Sequence, residues 1–151
     1  MRKTRSTAAT RPIVDALERI VFAGVALTTR ALSEARADLD LTLAQWRVLV
    51  VLGETEDGAT ISQVAARIGV TLPATSRQLR RLERRGLAAV GRDQSDRRAT
   101  RVRLTSMGRS ARDDVVSFRR QKIAQIAGSL DLDPAIATQL ARIADELDQP
   151  G

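Results

Sequence analysis

Between Arg67 and Arg109 the chain carries twelve arginines against three acids, Glu83, Asp93 and Asp96. A planar guanidinium makes two parallel hydrogen bonds to a phosphate or to the groove edge of guanine, so such a cluster suits recognition of nucleic acid. Lysine occurs only at Lys3 and Lys122, so nearly all of the +7 net charge is arginine. A GC-rich coding sequence would raise Arg and Ala throughout, and it accounts for the overall count as well as a polyanionic partner does. It does not account for the focus. Outside this segment acids and bases are close to balanced, thirteen bases against fifteen acids, and four of those bases are Arg2, Lys3, Arg5 and Arg11 near the start.

Other chemistries lack their residues. There is no cysteine, hence no disulfide, thiol nucleophile or thiolate metal site. There is no histidine, the usual general base, metal ligand and neutral-pH switch. The carboxylates are scattered along amphipathic segments, and no glycine-rich phosphate loop is present. The expectation is a protein that is not an enzyme and holds no cofactor or metal. No apolar run approaches membrane-spanning length, and Met1–Thr10 is basic and polar without an apolar core. A cytoplasmic location, with no membrane partner, is expected.

The arginines need elements to hold them. Ala88 to Arg92 reads as a strand, Asp93-Gln94-Ser95-Asp96 as a turn, and Thr100 to Leu104 as a second strand. In the second strand Arg101 and Arg103 alternate with Val102 and Leu104, giving one basic and one apolar face. Just before this ribbon lie two short helices. Ile61, Val64, Ala65 and Ile68 form the apolar stripe of the first, and Gly69 permits a sharp turn. Thr71 can cap the second, Pro73 is tolerated in its first turn, and Leu72, Leu79 and Leu82 are expected to be buried. Pro73, Ala74, Ser76, Arg77, Arg80, Arg81 and Arg84 occupy its other faces. Small residues at the leading end let a backbone approach base edges, so the pair reads as a helix-turn-helix. A basic helix beside a two-stranded ribbon can reach neighbouring grooves of one duplex, which makes double-stranded DNA the leading partner.

The rest of the chain reads as helices around this module. Residues 1–11 are expected to form a disordered basic arm, and 12–151 a single domain. A helix begins near Pro12 with Ile13, Leu17, Ile20, Val21, Leu27, Ala31 and Ala35 along one side, and Asp38 to Leu41 breaks it. Thr42 and Gln45 form a capping box for the next helix, which buries Trp46, Leu49, Val50 and Leu52 and ends at Gly53. Thr105 caps a helix through Leu130 in which Gly108 is a weak spot, and Asp133-Pro134 opens the last one, with Ile136, Leu140, Ile143, Ala144 and Leu147 in line. The fold class is mainly α with a small β-ribbon: a DNA-binding module at about 42–104 and terminal helices at about 12–37 and 105–148. Their apolar faces exceed what one small domain needs, so they are read as a subunit interface.

From about Ile13 to Leu147 the chain resembles the MarR family of winged helix-turn-helix transcription regulators. The resemblance is carried by LTLAQWRVLVVL from Leu41, LRRLERRGL ending at Leu87, and DRRATRVRLTSMGR from Asp96. The last is the most specific, because the family shows Asp-Arg-Arg at the wing tip and Leu-Thr-x-x-Gly-Arg after it. One departure stands out: the family has an arginine four residues after the glycine, where this chain has Val90, and Arg92 is the expected substitute.

The resemblance implies a homodimer on a palindromic operator, acting as a repressor. It implies that Pro73, Ala74, Ser76 and Arg77 face the major groove, and that Arg98 at the wing tip enters the minor groove, oriented by Asp96. Thr71, Arg80, Arg81, Arg92 and Arg97 complete the DNA-binding set. It further implies release by a small aromatic or phenolic effector bound between the dimer helices and the DNA module. Phe22, Trp46 and Phe118 are either lining for such a pocket or plain core. Two other readings of the same arginines stay open: a non-specific architectural DNA-binding protein, and a winged-helix module that docks an acidic protein.

Overall fold

The structure is a computed structural model that describes residues 4–92 and 100–148. Its centre is built from short capped helices. Helix α2 (Leu43–Gly53) starts on the expected capping box: Thr42 Oγ1 accepts from Gln45 N at 3.2 Å, and Gln45 Oε1 accepts from Thr42 N at 3.1 Å. A second capping box, Thr60 with Gln63, starts α3 (Ile61–Ile68). Each box satisfies two backbone N–H groups that the first turn of a helix leaves unpaired. Trp46, Val48, Leu49 and Leu52 are buried on α2; Val50, which the sequence reading put in that stripe, is only half-buried. Gly69 follows α3 at φ 67°, a left-handed conformation that glycine adopts without steric cost, and turns the chain into α4 (Leu72–Arg84).

Helix α4 differs from expectation in its buried side. Leu79 and Leu82 are buried, but Leu72 is 51% exposed and Thr75 takes the inner position with no exposed surface. A buried hydroxyl needs a partner, and Thr75 Oγ1 donates to the Thr71 carbonyl at 3.1 Å. Leu72, as the first residue of the helix, lies too near its end to reach the core.

Strands β1 (Ala88–Arg92) and β2 (Thr100–Leu104) pair antiparallel, with Ala88 opposite Leu104 and Arg92 opposite Thr100. Val102 and Leu104 are buried while Arg101 and Arg103 are half-buried, in keeping with the alternation. A third rung joins the ribbon to the body: Ala59 and Val102 exchange both backbone hydrogen bonds, at 3.0 and 2.8 Å. Helix α5 (Ser106–Ser129) is capped by Thr105, whose Oγ1 accepts from Gly108 N at 3.0 Å. Gly108 is no weak spot. It is buried against the Leu87 carbonyl, and a Cβ there would collide with that oxygen. The core holds Leu49, Leu52, Val64, Leu82, Leu87, Val102 and Val115 with no appreciable exposure.

The terminal helices depart from the sequence reading at their starts. Helix α1 runs from Thr4 to Ala35 with Pro12 inside it, so residues 4–11 of the expected disordered arm are helical. The alanines of this stretch favour helix, and Pro12 removes one intrahelical bond at an exposed position, where water can satisfy the freed Ala8 carbonyl. Helix α6 spans Ile136–Leu147, two residues later than Asp133-Pro134 implied; Asp133 Oδ1 instead accepts from Ala135 N at 2.8 Å in a turn before the helix. From Thr10 onward only Thr28, Ala31 and Leu32 of α1 are buried, and α6 buries nothing. Ile13, Ile20, Val21, Phe22, Ile123, Ile126 and Leu140 all stand exposed. No helix among the described residues is long and apolar enough to cross a membrane.

Candidate nucleic-acid interface

Arg77, Arg80, Arg81 and Arg84 follow the i, i+3, i+4, i+7 spacing that brings side chains to one helix face, and all four are exposed. Among the described residues none of the four has an ion-pair partner. The one side-chain hydrogen bond they make among the described residues is internal to the helix, from Arg80 Nε to the Ser76 carbonyl at 3.4 Å. The contrast with other arginines is sharp. Arg36 bonds Asp38 and Asp114 at 2.9 and 3.2 Å, and Arg67 bonds Asp148 at 2.7 Å. Those contacts raise the pKa of each guanidinium, chiefly through the hydrogen bonds to Asp38 and to Asp148 respectively. The outer face of α4 is therefore an uncompensated positive stripe in which only Glu83 is acidic.

At the leading end, Thr71 and Pro73 are exposed and Ala74 and Ser76 half-buried, so the small residues expected at a groove floor sit at the surface or close beneath it. Thr71 occupies the N-cap of α4, yet its hydroxyl makes no capping bond, unlike those of Thr42, Thr60 and Thr105. That leaves a hydroxyl and first-turn N–H groups available to an anion. Arg92 occupies the last paired position of β1. Asp96, Arg97 and Arg98, the expected wing tip, lie outside the described residues.

Among the arginines of this segment whose side chains are described, four turn to the protein instead. Besides Arg67, Arg101 Nη1 donates to the Gly58 carbonyl at 2.9 Å, Arg109 Nη1 to the Leu104 carbonyl at 3.1 Å, and Arg85 Nη1 to the Asp40 carbonyl and Gln45 Oε1. Counting charge along the sequence could not separate these from the outward set, because the acceptors of Arg67, Arg85 and Arg101 lie far along the chain and that of Arg109 is a backbone carbonyl, which leaves no mark in the sequence. The candidate effector residues do not converge either. Phe22 is 78% exposed and Trp46 is core at 3%, while Phe118 is half-buried with the Lys122 ammonium 5.7 Å from its ring centre. Trp46 does line a cavity of ≈ 230 Å³ whose walls include Arg47, Val50, Val51, Ile68 and Arg119.

Residues 39–99, which span the helix-turn-helix and the first strand of the ribbon, match the MarR family. The HTH-type transcriptional regulator TtmR of Methylorubrum extorquens (strain PA1) is 29% identical over 127 residues, which are 84% of this chain and 65% of that protein. The chain thus spans just under two thirds of that relative. RV1404 from Mycobacterium tuberculosis superposes with a TM-score of 0.78 at 26% identity, over 94% of this chain and 96% of that one. BpsR of Bordetella bronchiseptica, whose structure concerns regulation of its DNA binding by 6-hydroxynicotinic acid, gives a TM-score of 0.66 at 25% identity, over 91% and 99%. The match to the MarR family thus covers the segment that carries the bare arginine face, and the six helices and two-stranded wing among the described residues share the fold of RV1404.

Proposed function

We propose that this protein is a sequence-specific regulator that binds a palindromic double-stranded DNA site as a homodimer in the cytoplasm and represses the adjacent genes. The observation that carries the reading is the stripe of Arg77, Arg80, Arg81 and Arg84, exposed and without an ion pair among the described residues. Four aligned cations without counter-charges repel one another in the free protein, and phosphates relieve that repulsion on binding. Pro73, Ala74 and Ser76 permit close approach to base edges at the leading end, with Arg77 to read them, while the wing residues Arg92, Asp96, Arg97 and Arg98 reach the next minor groove. The exposed apolar faces of α1, α5 and α6 support the homodimer, since a monomer would leave them in water.

An effector reading accompanies this. The cavity beside Trp46 brings Val50, Val51 and Ile68 together with Arg47 and Arg119, while Arg67 on its wall pairs with Glu54 and Asp148, and Arg119 Nε is buried without a hydrogen-bond partner among the described residues. That combination suits a small aromatic carboxylate or phenol that would weaken DNA binding. The ligand of BpsR is of that kind.

The test is a competition titration of the purified protein against a site selected from random DNA and against unrelated duplex. A regulator prefers its site by ~10³ or more. Equal affinity for both duplexes would favour an architectural binder. No affinity at moderate salt would favour a protein-docking module.

A further inference from the structure

Arg85 breaks from the basic row of α4. It caps the C-terminal end of the helix and is half-buried, and its Nη1 donates to the Asp40 carbonyl at 3.3 Å and to Gln45 Oε1 at 3.2 Å. Both acceptors belong to the passage from α1 into α2. Asp40 is the one non-glycine residue with positive φ among the described residues, at 40°, a conformation that must be held by its surroundings. Gln45 is buried and already accepts from Thr42 N in the α2 capping box. The same passage is held from its other side by Arg36, which bonds Asp38 within it and Asp114 on α5. The link between α1 and the helix-turn-helix is therefore clamped, to α4 through Arg85 and to α5 through Arg36.

We propose that Arg85 is a positioning residue for DNA recognition, one that fixes the recognition helix to the α1–α2 connection and thereby sets the half-site spacing the dimer accepts. The inference rests on the proposed function, since spacing has meaning only for a dimer on a two-part site. In such a dimer the terminal helices fix one protomer against the other, and the separation of the two α4 helices depends on how firmly each α4 is tied to its own α1. Arg85 is suited to the task because the two N–H groups of its Nη1, fixed in the guanidinium plane, reach two acceptors at a set angle, and neither acceptor is a counter-ion. With Nη1 engaged on Asp40 and Gln45, Arg85 is held toward the protein, apart from the row of Arg77, Arg80, Arg81 and Arg84.

The experiment measures binding of the full chain to a selected operator and to versions with the half-sites one base pair closer and one farther, at several salt concentrations. One base pair shifts a half-site by about 3.4 Å and turns it by about 34°. The parent is expected to prefer the selected spacing by about tenfold or more. Arg85→Ala should bind all three spacings within about threefold of one another, with an unchanged slope of log affinity against log salt. Arg85→Lys keeps the charge but not the planar pair of N–H groups, so it should lose part of the preference at the same slope. It also supplies the comparison should the alanine variant fail to fold. Gln45→Glu, which keeps the cap and offers Arg85 a charged acceptor, should retain the preference.

A parent that shows no preferred site would sink the proposed function itself. A parent with a sharp spacing optimum that Arg85→Ala and Arg85→Lys both keep would overturn the positioning role alone. So would a slope reduced by about 0.9 in Arg85→Ala, the mark of one lost phosphate contact.

Discussion

Leu140→Asp tests the surface on which a dimer would be built. Leu140 lies on α6 with Ile136, Ile143 and Leu147 at i−4, i+3 and i+7, an apolar stripe of which no residue is buried within the protomer. Leu140 is 42% exposed. Full burial of a leucine contributes about 1.5–3 kcal/mol, so covering that exposed fraction contributes about 0.6–1.3 kcal/mol per protomer and, by two-fold symmetry, about 1.2–2.5 kcal/mol per dimer. The aspartate adds an unpaired carboxylate at each half of the interface, with a desolvation cost of several kcal/mol per ion. The total is on the order of 5 kcal/mol or more, which weakens the dimer by three decades or more at about 1.4 kcal/mol per decade. Sedimentation equilibrium should find the parent dimeric and Leu140→Asp monomeric, with operator affinity lost alongside. Arg142→Asp, on the opposite side of the helix by its periodicity, should stay dimeric. A Leu140→Asp protein that remained dimeric with parental DNA affinity would refute the assignment of α6 to the interface.

Gly108→Ala forces a Cβ into the Leu87 carbonyl and should cost ~1–3 kcal/mol or more, read as a lowered denaturation midpoint; an unchanged midpoint would mean the contact is looser than the structure has it. Arg77→Ala should weaken operator binding by ~1–3 kcal/mol and relax preference at one base pair per half-site, as measured on a base-by-base operator series; a uniform loss across sequences would make Arg77 a phosphate contact instead. Hydrogen bonds from Arg36 hold the Asp38 carboxyl below the ordinary carboxylate range. A lowered folded-state pKa contributes stability that is complete above the unfolded value of about 3.9 and is lost as pH falls through the folded one, so Asp38→Asn should flatten the acid side of the stability curve below about pH 4 and leave its slope near neutrality alone. Parallel curves for the two proteins across that range would contradict this.

The elements that position the site were legible in the sequence because their signals are local. Both strands came out at their observed bounds from alternation at Val102 and Leu104 and the turn formers between them. Thr42 with Gln45 announced α2, and Gly69 announced the turn into α4. What escaped depends on partners far along the chain. Gly108 looked unfavourable by helix propensity, and only its approach to Leu87 explains it. The choice of Thr75 over Leu72 for the core depends on how far the first turn of α4 projects beyond α2 and α3. Arg85 and Arg101 belong to the basic run by composition, yet their acceptors, Asp40 and Gln45 for one and Gly58 for the other, lie about 40 residues away. Phe22, an aromatic on an apolar stripe, reads as core or pocket, and its exposure follows from a stripe that finds no cover within the protomer.

The central claim is that two copies of α4 enter successive major grooves of one duplex. Guanine-N7 interference mapping on a selected operator probes it most directly, because modification at N7 blocks a major-groove reader without altering the minor-groove edge. The account predicts two interference clusters about one helical turn apart, ~10 base pairs, related by a dyad, and the cluster contacts should weaken in Arg77→Ala. Interference absent from the major groove, or spread evenly along the duplex, would contradict it.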